Sequence, residues 1–293
     1  MALPALDLLA ARRPLTLVGK PWAVDLFGAY PWRVLPVAAS RRARIAALRA
    51  SLPLGARALL LTNSIGSALD FRLAGLRPAG YATDLRRALL DEAYPVPARW
   101  REEQAPMHMV EYYYELAQRF LGGAAPPLPS ALSLQLAAPR VERARALLAT
   151  AGITGGYVML CPVAVGRHRG KVKVWDGFGA LCRELLDAGV TVVCCPGPGE
   201  TDAVRAVVPD AVILPSTDVA SFAALLAASR LVIANDSGSA HVAAAVGARL
   251  VTLFGVTDAR RTGPWSPTAL RLGSANGWPS LREVSAAVHR LLR

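Results

Sequence analysis

The sequence predicts an α/β protein of two doubly wound, Rossmann-like domains, and three observations predict it. From about residue 141 onward, short β-rich apolar runs alternate with amphipathic helical stretches, the pattern of a parallel sheet covered on both faces. The first half repeats that alternation less regularly. Between the halves, Ala124-Ala125-Pro126-Pro127-Leu128-Pro129-Ser130 is proline-dense, which favours a semi-rigid linker over a core element. The expected layout is an N-terminal domain over 1–125, a linker over 126–140 and a C-terminal domain over 141–293 that ends in a helix.

In the first half, residues 15–19 and 58–62 read as strands, and 41–50 and 64–74 as helices. In the second half the apolar run 157–161 reads as a buried strand. Asp176 is the expected cap of a helix over 178–188 that closes at Gly189. A strand over 190–195 follows, then the turn Pro196-Gly197-Pro198-Gly199 and a helix from Glu200. Residues 211–214 form the next expected strand, and Asp218 is placed to cap a helix over 222–229. Strands over 231–234 and 250–254 enclose a helix over 241–246.

Composition narrows the function. The 293 residues are 53% hydrophobic and 18% charged, which excludes a disordered chain. Thirty-three Lys and Arg against 21 Asp and Glu give +12 at pH 7, so the surface favours an anionic partner. The four cysteines show no CxxC spacing, and Cys194-Cys195 sit in an apolar run; they read as small buried hydrophobes, with no metal or cofactor expected. No uncharged apolar stretch reaches the ~18–20 residues of a membrane span, and Met1 to Asp7 lacks a basic leader. The expected location is cytoplasmic, with membrane contact only at the surface. GxxxxGK[ST], GxSxG, HExxH and GxGxxG are absent, which disfavours a P-loop NTPase, a serine hydrolase, a zincin and a dehydrogenase. Aromatic residues do not interleave with the cations as on a nucleic-acid platform, so no nucleic acid is expected.

Ligands of an open parallel sheet bind beyond the carboxyl ends of its strands, and four polar loops fall there. Asn235-Asp236-Ser237-Gly238-Ser239-Ala240-His241 follows a strand and opens a helix, so the amides near Gly238 and Ser239 suit a phosphate or carboxylate. Asp236 and Ser237 are candidates for sugar hydroxyls or the anion, and equally for an ordinary helix cap with His241 packed on the sheet. The loop 163–175 carries four cations, Arg167, Arg169, Lys171 and Lys173, and two glycines, which suits a diphosphate and also suits a solvated basic loop. Pro196 to Glu200 brings backbone close to a ligand and offers a carboxylate to a ribose diol, or is a simple turn. Residues 256–265 form a lid or a connection.

Asn235 to Ala245, continuing to Leu253-Phe254-Gly255-Val256-Thr257-Asp258, resembles the ADP-heptose:lipopolysaccharide heptosyltransferases, glycosyltransferase family 9. Lys173-Val174-Trp175 with Phe178 is similar to the family's lysine–x–tryptophan segment, and Gly197-Pro198-Gly199-Glu200 to its glycine–glutamate loop. Leu61-Thr62-Asn63-Ser64, Leu73 to Leu76 and Gly80-Tyr81 resemble its acceptor-side domain, and His108 to Tyr113 one of its helices. The resemblance implies a GT-B fold with two Rossmann-like domains facing a cleft. It implies transfer, with inversion, of a heptose or related sugar from an ADP-activated donor to an anionic lipid-linked glycan such as the lipopolysaccharide core. Lys173 would then stabilise the leaving phosphates. Glu200 would hold the adenosine ribose and Asp236 the donor sugar, while Ser237, Gly238 and Ser239 contact the diphosphate and His241 supports the turn. Arg167, Arg169, Asn63 and Ser64 are candidate phosphate or acceptor contacts.

Three positions depart from the family pattern. Val163 stands where a glycine is usual and Val256 where a proline is usual. The chain opens at Met1 to Leu6 without the family's first strand, whose aspartate is the expected general base. A start set too far downstream is the preferred explanation, and the base has no counterpart here. The other readings are a catalytically impaired nucleotide-sugar-binding relative and, in a different class, a basic nucleic-acid-binding protein.

Overall fold

A computed structural model describes residues 1–293 apart from Asp84, Val165 and Arg169, and the side chain of Arg167 also lies outside the description. The chain divides into two compact units, one of residues 1–24 and 31–129 and the other of residues 25–30 and 130–293.

In the first unit, α1 (Leu3–Ala10), β1 (Thr16–Gly19), α2 (Trp22–Leu26), which runs on into the second unit, β2 (Arg33–Pro36), α3 (Arg41–Ser51), β3 (Arg57–Leu59), α4 (Ile65–Leu73), β4 (Arg77–Tyr81), β5 (Glu92–Tyr94) and α5 (Met109–Leu121) follow one another. All its strand pairs are parallel, but they form two sheets, β1-β2 and β3-β4-β5. Local chemistry sets the helix ends. Ser40 Oγ accepts the Ala43 N–H and opens α3. His108 and Glu111 form a reciprocal cap at the start of α5, and Gly122 closes it at φ 67°. Buried Ala5 and Leu8 of α1 pack on Tyr114 and Ala117 of α5. Asp70 of α4, buried, accepts from Arg41 Nε at 2.9 Å and Arg44 Nε at 2.7 Å, tying α3 to α4.

The second unit runs α6 (Ala138–Thr150), β6 (Tyr157–Cys161), β7 (Arg167–His168), β8 (Lys171–Val172), α7 (Phe178–Asp187), β9 (Thr191–Cys194), α8 (Thr201–Val207), β10 (Val212–Ile213), α9 (Val219–Ala228), β11 (Leu231–Asn235), α10 (Gly238–Ala245), β12 (Leu250–Phe254), α11 (Ala259–Thr262), β13 (Leu270–Gly273) and α12 (Leu281–Leu292). Six strands form one parallel sheet in the order β10-β9-β6-β11-β12-β13. Counted from β6 this is 3-2-1-4-5-6, the doubly wound dinucleotide-binding order. Its apolar strands bury both faces. Trp175, Phe178, Leu181, Leu185, Val284 and Val288 cover one side, and Ala224, Leu225, Leu226, Ala240 and Ala243 the other.

Four expectations change in detail. Helix α6 begins at Ala138, inside the expected linker, with Pro139 in its first turn where a missing N–H costs nothing. Asp176 does not cap α7: Gly177 is the cap residue and makes no side-chain bond. Asp218 does cap α9, accepting the Ser221 N–H at 2.9 Å, but the helix starts at Val219 because the cap lies next to its first residue. Helix α10 starts at Gly238, directly after Ser237.

Candidate functional site

The strand order of the six-stranded sheet reverses between β6 and β11, and there an open parallel sheet leaves a crevice at its carboxyl edge. Asn235, the last residue of β11, is fully buried. Its side chain accepts the Trp175 N–H at 2.9 Å and donates to the Pro162 carbonyl at 2.9 Å. A buried amide satisfied on both sides is a rigid staple, and it joins the loops that follow β6 and β11. Trp175 is itself buried, donating its indole N–H to the Pro279 carbonyl and standing edge-on to Phe178 at 5.3 Å. Lys173, two residues earlier, is therefore delivered to the crevice by a fixed anchor.

Asp236, 3% exposed, follows the staple. Its Oδ2 lies 2.8 Å from Lys173 Nζ and accepts the Thr257 hydroxyl at 2.7 Å. A buried carboxylate is costly unless paired and hydrogen-bonded; two donors on Oδ2 offset that cost and fix its orientation. The next residue, Ser237, precedes α10 without capping it. Its hydroxyl oxygen is buried and has no hydrogen-bond partner among the described residues. That orphaned group stands beside the positive end of α10, where anions bind.

Glu200 lines the same crevice. Its Oε2 accepts the Gly197 N–H at 2.9 Å, and a Cβ at Gly197 would lie 2.9 Å from that oxygen, so the glycine makes room for the folded-back carboxylate.

Two adjoining cavities result. One of about 330 Å³ is polar, lined by Val163, Ala164, Lys173, Glu200, Asp236, Ser237, Gly238, Ser239 and His241. The other, about 150 Å³, shares Val163, Glu200 and Ser239 with it and is walled by Cys161, Cys195, Pro196, Val204 and Phe222 among others. Burial pushes the Cys161 thiol up to about 12 and the Cys195 thiol up to about 11, so both are neutral walls near pH 7. A ligand with an apolar part and an anionic part suits an apolar-walled cavity beside a polar one that holds Lys173 and the start of α10. Among the described residues no three His, Cys, Asp or Glu side chains gather as a metal site would require.

Seven residues singled out in the sequence, Lys173, Glu200, Asp236, Ser237, Gly238, Ser239 and His241, thus line one cavity. Arg169 and the Arg167 side chain lie outside the described residues. Asn63 and Ser64 belong to the first unit and are engaged locally. Ser64 Oγ caps α4 through the Ser67 N–H; Asn63 donates to Tyr112 OH at 2.9 Å and accepts from Arg86 Nη2 at 3.2 Å. Arg86 is fully buried and also donates to the Thr62 and Tyr81 carbonyls. Asn235, Thr257 and Arg86 join these structural networks without belonging to the sequence-predicted site residues. A polar residue closing an all-apolar strand was the available signal for Asn235; nothing local marked Thr257.

The family profile described as glycosyltransferase family 9 (heptosyltransferase) matches residues 46–289. Lipopolysaccharide heptosyltransferase 3 of Escherichia coli is 35% identical over 43% of this chain and only 38% of its own length. Lipopolysaccharide heptosyltransferase 2 of Escherichia coli K12 is 28% identical over 79% of this chain and 68% of its own length. The solved structure of E. coli ADP-heptose lipopolysaccharide heptosyltransferase II superposes with a TM-score of 0.77 at 23% identity, over 99% of this chain and 94% of that one. This likeness gives the fold, the GT-B type of α/β architecture.

Proposed function

The chain belongs to glycosyltransferase family 9, and from that premise we propose that it transfers a heptose or related sugar from an ADP-linked donor to a lipopolysaccharide-core glycolipid, with inversion. The observation that carries this reading is the polar cavity in which Lys173, buried Asp236, the orphaned Ser237 hydroxyl and the start of α10 converge beside an apolar slot. The adenine occupies the slot and Glu200 takes the ribose hydroxyls. The diphosphate lies against the first amides of α10, Ser237 and Lys173. Asp236, held by Thr257, receives hydroxyls of the donor sugar. His241 supports the turn.

Attack of an acceptor hydroxyl oxygen on the anomeric carbon breaks that carbon's bond to the terminal phosphate oxygen of ADP and inverts the carbon, and the hydroxyl proton passes to solvent water. Negative charge then grows on the departing diphosphate, where preorganised N–H donors and a cation are most effective. Lys173 brings three donors and Asp236 engages only one side of its ammonium, so phosphate joins it without displacing its anchor. No metal enters this scheme.

The reading also takes the protein to work in the cytoplasm, peripheral to the inner membrane face. No helix among the described residues is long and apolar enough to cross a membrane. The test is ADP release on mixing the protein with ADP-heptose and a core glycolipid lacking the accepting heptose. Release that depends on both substrates is expected. A folded protein that releases no ADP with any core acceptor, or equally without one, overturns the proposal.

A further inference from the structure

The four cysteines divide between the two faces of the second unit's sheet. Cys182 and Cys194 belong to the cluster that α7 and α12 complete on one face. Cys161 and Cys195 belong to the cluster on the other face, under α9 and α10. The parallel register of β6 on β9 pairs Tyr157 with Thr191 and Met159 with Val193. Side chains on a strand alternate with period two, so two residues further along both chains Cys161 stands opposite Cys195 on that same face. Both line the smaller cavity, together with Phe222 and Ser239. The Ser239 side chain hydrogen-bonds the Cys161 thiol, and Cys195 Sγ donates to the Pro215 carbonyl at 3.6 Å.

Neighbouring strands of a sheet lie about 4.8 Å apart, inside the Cα separation of about 4.4–6.8 Å that a disulfide requires. A proline follows each cysteine, Pro162 after Cys161 and Pro196 after Cys195. Proline has no N–H to give to a ladder, so the pair sits where the bonding between the two strands runs out and the chains have room to adjust. Cys161 is buried and Cys195 only half-buried, which makes Cys195 the thiol that a small reagent entering the cavity meets first. A disulfide is uncharged, so the apolar wall that disfavours a thiolate tolerates this product.

We propose that Cys161 and Cys195 form a reversible oxidation site in the wall of the nucleotide slot, closed to a disulfide by a small-molecule disulfide such as glutathione disulfide, and that closure weakens donor binding. The Cys195 thiolate attacks one sulfur of the reagent, a mixed disulfide forms on Cys195 and one small thiolate leaves. The Cys161 thiolate then attacks Cys195 Sγ, the Cys161–Cys195 bond forms and the second small thiolate leaves. The two cysteine protons end on the two released thiolates, and two electrons have passed from the protein sulfurs to the reagent. The new bond draws Cys161 Sγ away from Ser239 in the first turn of α10 and pins together the ends of β6 and β9 that wall a slot of only about 150 Å³. Adenine and the oxidant compete for the same cavity, so a bound donor shields the pair. By linkage, the factor by which the disulfide weakens ADP binding is the factor by which ADP disfavours the disulfide. The inference rests on the proposed function for the identity of the slot's ligand and adds a control on its binding.

Equilibration of the full chain with glutathione disulfide at about pH 8.5, where more thiolate is present, tests it by peptide mapping and by calorimetry. The expected product has lost about 2 Da, two hydrogens, with Cys161 and Cys195 in one cross-linked peptide and Cys182 and Cys194 free. Its ADP affinity is expected to be weaker by at least about tenfold, and dithiothreitol restores it. In glutathione redox buffers, saturating ADP should raise the midpoint potential of the pair by about 30 mV, the equivalent of that tenfold. In Cys195→Ser, ADP affinity after treatment with the oxidant should equal the affinity before it. A link through Cys194, a mixed glutathione adduct that persists, or a Cys161–Cys195 disulfide that leaves ADP affinity unchanged would overturn the proposal. Absence of ADP binding before oxidation contradicts the donor-site reading instead, while the peptide map, which needs neither nucleotide nor variant, still decides whether the pair closes.

Discussion

Lys173 and Thr257 meet on a single atom, Oδ2 of Asp236, at 2.8 and 2.7 Å. The two residues come from loops 84 positions apart, one ahead of α7 and one after β12. They fix a buried carboxylate at the point where the sheet order reverses. The lysine is at once the partner that makes burial of Asp236 tolerable and the cation turned to the polar cavity.

Replacing Lys173 by Ala therefore has two effects. ADP affinity falls by about 10–100-fold, the worth of a charge-assisted contact, and stability falls because Asp236 loses its counter-charge. Calorimetry and urea unfolding read the two separately. Unchanged ADP affinity in a folded variant would remove Lys173 from the donor site.

Thr257→Val keeps the shape and removes the hydroxyl. With Asp236 freer to rotate, kcat/KM for the sugar donor is expected to drop about tenfold, roughly 1.5 kcal/mol, while ADP alone binds as before. Thr257→Ser restores the donor and should recover most of the rate. Loss of ADP binding together with rate would point instead to collapse of the loop.

Asn235→Ala leaves the Trp175 N–H and the Pro162 carbonyl without their partner in a fully buried place. About 2–4 kcal/mol of stability is expected to go, visible as a lower urea midpoint. A change within experimental error would mean that water replaces the amide.

Cys195 gives a pH signature. Its thiol, raised by burial to about 11 from an ordinary 9.0, holds far less thiolate at pH 8 than a free cysteine, by about two orders of magnitude. Alkylation by iodoacetamide, followed by mass spectrometry, should be slow at pH 8 and rise about tenfold per pH unit toward pH 10. The unfolded thiol ionises first, so the shift supports the fold below pH 9 and its contribution is lost as pH rises through the folded value. Rapid alkylation at pH 8 would show an open, solvated slot.

The second unit was largely legible because its strands are continuous apolar runs separated by Gly, Pro and capping residues; residues 157–161 and 250–254 match β6 and β12 to the residue. The cavity was legible for the same reason, since Asp236, Ser237 and Glu200 each sit directly after a strand or before a helix. Thr257 and Arg86 were not, because their roles come from partners 21 and 24 positions away. The first unit was harder to read. Its strands are three to five residues long, and one of them, β4, contains both Pro78 and Gly80, residues that mark turns in a sequence. Gly80 is there to admit Arg86: a Cβ would stand 2.9 Å from its Nη2.

The central claim is that the crevice between β6 and β11 binds an ADP-linked donor, and titration calorimetry with ADP, using UDP as the control, tests it most directly. The expected result is one ADP site per chain, UDP weaker by at least about tenfold, and a loss of ADP affinity on Lys173→Ala. A folded protein that binds neither nucleotide, or binds both equally, would contradict it.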